Sequence, residues 1–364
     1  MAIEWLAGNR IRGTSTERTS TSGFNPVSAV SGGWKELGRT TLSGSATSVD
    51  VTGLADKRYY MVLYNMIDNG TNTQFVTNQF GNGSFDTGSN YAERGSSNGA
   101  ADFSYTGQAY WNTSGGDQVC PELTVQYIAN KSDKEKLGIS HSCGAQADGA
   151  GTAPNRREHT GKWANTSNVI DRIRATTAYG SRTYGTGSEV VVLGYDPDDT
   201  HTTNFWESLA DITLGSDASE ISSGTITAKK YLWVQVYFQN ASTSDDVLVR
   251  FNNDTGSNYA HRHSINYGSD TTGTSQSSAR LIDRNAAADV GRFANFFVIN
   301  NSANEKLIIA HGVEEETSGA GNPPTSNESV CKWANTSSQI TEIDCFTNSG
   351  NIRSGARLRV WGSN

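Results

Sequence analysis

The heptapeptide Asp-Thr-Gly-Ser-Asn-Tyr-Ala occurs twice in this chain, at Asp86–Ala92 and at Asp254–Ala260, an offset of 168 positions. Seven identical residues in order do not recur by chance in a chain of 364. Other blocks keep the same order and nearly the same spacing. Trp34 answers Trp206, and Lys57-Arg58-Tyr59 answers Lys229-Lys230-Tyr231, at an offset of 172. Glu135-Lys136-Leu137 and His141 answer Glu305-Lys306-Leu307 and His311 at 170. Lys162-Trp163-Ala164-Asn165-Thr166-Ser167 returns unchanged as Lys332–Ser337, and Val192-Leu193-Gly194 answers Val360-Trp361-Gly362 at 168. Small loop insertions account for the drift. Periods of about 20–50 residues build solenoids and propellers, whereas a period near 170 is a whole domain of ordinary size. The chain therefore reads as one fold made twice: an arm at 1–33, a first repeat at 34–194, a linker at 195–205 around Asp196-Pro197-Asp198-Asp199, and a second repeat at 206–364.

Each repeat reads as all-β. Val49 and Val51 alternate with polar residues, a half-buried strand pattern. Tyr59 to Met66 is a short aromatic and apolar run, which predicts a central strand. Thr124–Ala129 and Leu137–Ser142 flank a polar turn and predict a hairpin, answered in the second repeat by Phe296–Ile299 and Leu307–Ala310. Val169–Arg174 and Glu189–Leu193 are further strand-like pieces. Leu232, Val234, Val236 and Phe238 alternate with Tyr231, Trp233, Gln235 and Tyr237, and Val247, Val249 and Phe251 repeat the period. Leu358 and Val360 point in while Arg357, Arg359 and Trp361 point out. With no convincing amphipathic helix, two tandem homologous antiparallel β-sandwiches of jelly-roll-like topology are expected. An immunoglobulin-like sandwich is the alternative, but such domains run nearer about 100 residues. The Gly/Asn/Ser-rich stretches 67–85, 95–118 and 144–160 read as long exposed loops of repeat one. The unpatterned Arg10–Gly23 stretch reads as part of an extended arm, either a disordered tail or an arm that orders against a neighbouring subunit, with Trp5 and Leu6 as the bulky apolar anchors near the start.

Chemistry is sparse. Charged residues make up 18% of the chain, below the usual quarter, and the net charge is −8. An acidic surface repels phosphate backbones and anionic lipid, so neither nucleic acid nor a membrane is expected as a partner. No run of 18 apolar residues suggests a membrane span. The start, Met1-Ala-Ile-Glu-Trp-Leu-Ala-Gly-Asn-Arg, lacks the basic and apolar regions of a signal peptide. Cys120, Cys143, Cys331 and Cys345 show no metal-ligand spacing. Cys120 and Cys143 at the ends of the first hairpin, and Cys331 and Cys345 about Ser337, stand where either free thiols or disulfides fit. His261 and His263 share a strand face, a pattern open to metal, but repeat one has Glu93 and Gly95 there. The Asp-Thr-Gly-Ser-Asn loop is turn chemistry first; its oxygens also suit Ca²⁺, but without the acidic density of a strong calcium loop. The acids shared by both repeats, Asp86/Asp254 and Glu135/Glu305, sit in a turn and at a hairpin tip, not in a cleft. No G-x-S-x-G, HExxH, P-loop or Rossmann pattern occurs. No catalytic residue, metal or cofactor is therefore expected.

Three blocks, Trp34-Lys-Glu-Leu-Gly-Arg-Thr-Thr-Leu, Lys57-Arg-Tyr-Tyr, and Asp-Thr-Gly-Ser-Asn-Tyr-Ala with an Arg two residues on, resemble structural proteins of marine tailed phages and related archaeal viruses. The opening Glu4-Trp-Leu-Ala-Gly-Asn-Arg-Ile-Arg-Gly-Thr is similar to the start of such proteins. The resemblance spans both repeats and implies a virion surface role, as capsid decoration, fibre or tail component, with assembly in the host cytoplasm and no activity. The expected partners are other virion proteins and further copies of the chain, most simply as a trimer. The alternative is an extracellular carbohydrate-binding or adhesive module. In either case a host-surface glycan would meet exposed aromatics, with Tyr105, Tyr110 and Trp111 as candidates.

Overall fold

The computed structural model describes residues 30–31, 33–69, 76–113, 121–177, 182–196, 199–201, 203–240, 245–283, 289–317 and 319–364. In chain order, the first repeat holds β2 (Lys35–Thr41), β3 (Ser48–Thr52), β4 (Tyr59–Met66), β5 (Thr77–Asn82), β6 (Ser84–Phe85), β7 (Tyr91–Ser97), β8 (Phe103–Gln108), β9 (Trp111–Asn112), β10 (Glu122–Ala129), β11 (Lys136–Gly144), β12 (Asn155–Trp163), β13 (Arg172–Thr176) and β14 (Glu189–Tyr195). Before it comes β1 (Val30–Ser31), which pairs with β15 (Thr200–His201) between the repeats. The second repeat holds β16 (Glu207–Thr213), β17 (Glu220–Ser222), β18 (Tyr231–Gln239), β19 (Val247–Phe251), β20 (Tyr259–Ile265), β21 (Thr271–Gln276), β22 (Ala279–Ile282), β23 (Gly291–Ile299), β24 (Lys306–Glu314), β25 (Thr325–Trp333), β26 (Ile343–Thr347) and β27 (Arg357–Ser363).

Each repeat is a sandwich of a large and a small antiparallel sheet. The large sheets run β2-β14-β4-β10-β11-β12-β7-β8 and β16-β27-β18-β23-β24-β25-β20-β21, the same order strand for strand. The small ones run β3-β13-β5-β6, with β9 on β5, and β17-β26-β19-β22. The register agrees residue by residue. Tyr59, Ala129, Leu137, Lys162 and Ala92 form one row across the first large sheet. Tyr231, Ile299, Leu307, Lys332 and Ala260 form the same row in the second.

The apolar runs in the sequence now have a cause. Tyr60, Val62, Tyr64 and Met66 of β4 face the small sheet of repeat one, with Val49, Val51, Phe80 and Ile173. Met61 and Leu63 face the other way, onto repeat two. A strand covered on both faces has no polar side to show. In β18, Leu232, Val234, Val236 and Phe238 fill the second sandwich as their alternation predicts.

Three expectations need correction. The stretches 67–85, 95–118 and 144–160 are not loops throughout, for they contain β5, β6, β8, β9 and the start of β12. Their polar composition reflects position: β8 is an edge strand exposed from Ser104 through Gly107, on both faces, so it needs no apolar alternation. The first hairpin pairs Cys143 with Leu123, so its register does not set Cys143 opposite Cys120. Cys120 lies outside the described residues. Cys331 and Cys345 do not form a hairpin either: they lie in different sheets, on β25 and β26, and together with Cys143 they are buried free thiols. Of the arm, residues 1–29 and 32 lie outside the described residues.

Candidate functional site

The identical sequence blocks turn out to meet each other. Asp86 accepts hydrogen bonds from Gly88 N (2.9 Å), Asn90 Nδ2 (2.9 Å) and Trp163 Nε1 (2.7 Å). Asp254 accepts the same three, from Gly256 N (2.8 Å), Asn258 Nδ2 (2.9 Å) and Trp333 Nε1 (2.7 Å). Ala164 N and Ala334 N then donate to Asn90 O and Asn258 O, both at 2.8 Å. Lys136 and Lys306 lie 5.6 Å over the Trp163 and Trp333 rings and donate to Asn165 O and Asn335 O. Burial raises the Asp86 carboxyl, but its hydrogen bonds outweigh that and hold it below the ordinary range; Asp254 behaves alike. Both carboxylates are spent on closing the end of their own sandwich.

Glu135 and Glu305 differ. Glu135 is a half-exposed partner of Lys162 at 2.9 Å. Glu305 is buried, 3.4 Å from the fully buried Lys332, and accepts from Gly149 N of the other repeat. Neither acid shares a cleft with Asp86 or Asp254. His261 and His263 are buried with ring centres 5.5 Å apart, and His263 Nε2 lies 2.7 Å from Asp283. Among the described residues no group of three or more His, Cys, Asp or Glu gathers as a metal would need.

The two large sheets pack on each other through faces that no sequence pattern marks as partners. Repeat two contributes Trp206, Tyr231, Phe297, Leu307 and Ile309, joined by Phe205 of the linker; repeat one contributes Met61, Leu63, Leu123, Val125, Cys143, Val191 and Leu193. His141 and His311, equivalent positions in the two repeats, touch at 3.2 Å, Nδ1 to Nε2. Burial, with the Arg156 charge, lowers His141 to about 4, and burial with His141 beside it lowers His311 to about 3. Arg156 reaches across to Glu328 (2.8 Å) and Asp270 (2.6 Å). The 145–150 segment of repeat one docks on repeat two: Lys332 donates to Ala145 O (3.0 Å) and Ala147 O, and Ser275 N donates to Ala150 O (2.8 Å). The 144–160 stretch is thus partly an interface rather than wholly an exposed loop.

Beyond the covered part of that face, repeat one has an open groove of about 880 Å³. Tyr59, Tyr127, Tyr195 and Trp34 form one wall, with Trp34 6.0 Å from Tyr195 and 6.4 Å from Tyr127, ring centre to ring centre. Leu137 and Ile139 form the floor, exposed at 56% and 45%. Tyr105, Arg94 and Lys162 form the far rim. Under the floor, burial raises Glu93 to about 7, against hydrogen bonds from Asn112. One acid facing the core is not a hydrolytic pair.

Of the aromatic candidates from the sequence, Tyr105 belongs to the groove. Trp111 does not: it is fully buried in the first sandwich. Tyr110 is half-buried and does not line the groove. Trp34, Tyr59, Tyr195, Leu137 and Ile139 were missed as site residues. The signal available was the outward parity of Tyr59, Leu137 and Ile139 on strands whose other parity fills the core.

No family model matches the chain, and no curated protein matches it. Among solved structures it is similar to the mouse laminin alpha1 chain, domains LG4-5, at 9% identity and a TM-score of 0.19, over 90% of each chain. A likeness that slight carries no argument, and the fold stands on the strand order and register above.

Proposed function

We propose that this protein is a non-enzymatic structural subunit of a virion surface, built into its assembly through the groove on repeat one. The observation that supports this reading is the inequality of two otherwise matching repeats. Leu307 and Ile309 are 0% and 2% exposed under repeat one, while their equivalents Leu137 and Ile139 lie open. An apolar sheet face of this kind is an interaction surface in most folded proteins. The polar groups that would do chemistry are committed elsewhere: Asp86 and Asp254 to tryptophans, Glu305 to the repeat interface.

A second reading, glycan binding by an adhesive module, is favoured by Trp34, Tyr59, Tyr105, Tyr127 and Tyr195 around one groove. Titration calorimetry against a panel of oligosaccharides separates the two. Assembly predicts no sugar binding tighter than millimolar and no turnover. Micromolar binding lost on Tyr59→Ala or Tyr195→Ala would instead establish the adhesive reading. Imaging of source particles with an antibody to this chain tests the virion placement: labelled particles are expected, and particles without label would contradict it.

A further inference from the structure

The docked segment 145–150 of repeat one has a counterpart in repeat two. Gly149-Ala150-Gly151 recurs as Gly319-Ala320-Gly321 at the offset of 170. The backbone conformation recurs too. Gln146 and Glu316 both have φ of 65°, and Gly149 and Gly319 have 81° and 89°. In repeat one this knob seats on a socket, Lys332 with Glu305, beside the apolar floor of Leu307 and Ile309. In repeat two, Gly319 and Ala320 are exposed. Repeat one likewise keeps an open copy of the socket: Lys162 with Glu135, beside Leu137 and Ile139.

The apolar surface behind each knob follows the same rule. Leu123 and Cys143 are buried against repeat two, whereas their equivalents Phe293 and Val313 are exposed at 36% and 39%. Each molecule thus makes one knob-and-socket contact internally and presents one unused socket and one unused knob.

We propose that the open socket of repeat one receives the knob and outer sheet end of repeat two from a second copy of the chain. The contact is a head-to-tail repetition of the one inside the molecule, and such contacts close into rings or propagate as filaments. Lys162 takes the role of Lys332 and donates to the backbone carbonyls of Glu315 and Thr317, the counterparts of Ala145 and Ala147. Leu137, Ile139 and Tyr127 cover Phe293 and Val313. The unused knob carries Glu315 and Glu316, and the rim of the open socket carries Lys162, paired with Glu135, and Arg94, paired with Asp102. This inference rests on the assembly reading and specifies which surfaces make the contact.

Light scattering of the full chain tests it, with a socket variant (Leu137→Glu, Lys162→Glu) and a knob variant (Phe293→Glu, Val313→Glu). All four positions are outside the sandwich cores, so thermal unfolding of each variant should stay near that of the parent chain. The parent is expected as a multiple of the 39.1 kDa chain, and each variant as a monomer. Mixing the two variants restores one junction and gives a one-to-one dimer, which grows no further because its two remaining faces are the altered ones. Oligomers that persist in both variants, or a mixture that stays monomeric, would overturn the head-to-tail contact and leave the assembly reading standing. A parent chain that is monomeric at high concentration would overturn both.

Discussion

At the residue scale, the repeated blocks are a matter of hydrogen-bond accounting. An indole N–H at the end of a sandwich needs an acceptor, and Asp254 supplies it to Trp333 while organising its own turn. Hydrogen bonds to a charged group are worth about 1.5–3 kcal/mol each, less where water competes. Asp254→Ala is therefore expected to cost about 2–4 kcal/mol in urea unfolding, and Asp254→Asn about half of that. A loss below about 0.5 kcal/mol would contradict this role for the block. Titration of buried histidines is a second consequence. Unfolded histidine takes up a proton near pH 6.5, but His141 and His311 resist until about 4 and 3. Their folded values are depressed, so their contribution is intact above pH 6.5 and lost as pH falls from there toward 4. Arg156, Glu158 and Glu328 face the pair from β12 and β25. Burial and the neighbouring Glu158 raise Glu328, whose contribution runs oppositely, being lost as pH rises through its folded value near 7. The unfolding temperature should fall on acidification from pH 6.5 to 4.5, and a His141→Leu, His311→Leu variant should flatten that slope. An unchanged slope would show that the pair does not control it.

At the scale of elements, the strands covered on one or both faces were legible, because burial leaves an alternating or a continuous apolar pattern. Tyr59–Met66 and the β10–β11 hairpin show this. Edge strands such as β8 were not legible, since nothing in Phe103–Gln108 must avoid water. The packing of Trp111 was hidden for another reason. Its ring fills the space over Gly138 and Gly161, where an added Cβ would lie 2.6 Å and 2.2 Å from the indole. In repeat two the equivalent positions are Ile308 and Cys331, both buried. One large side chain over two glycines thus replaces two medium ones, a trade that only the pairing of distant strands reveals. Gly161→Ala should push Trp111 out of place and cost about 1–3 kcal/mol, as overpacking does. A neutral outcome in thermal unfolding would contradict that packing.

For the whole molecule, the sequence announced two repeats but not that their large sheets pack together. Tyr231, Leu307 and Ile309 are the same kinds of residue as Tyr59, Leu137 and Ile139, so no local pattern tells the covered row from the open one. What covers a surface is set by its neighbour and not by its own residues. An apolar contact of this kind couples its two sides, so calorimetry should show the full chain unfolding in one transition. A fragment spanning 203–364, stripped of its cover, should aggregate; a well-behaved fragment with the stability of the full chain would argue against the packing. The most direct test of assembly through the open socket is a photo-cross-linking residue placed at position 137 of the full chain, with the products mapped by mass spectrometry. The expected result is cross-links between copies, to β23, the end of β24 and the segment around Glu315. Cross-links confined to single chains, or inter-copy products that land elsewhere, would contradict it.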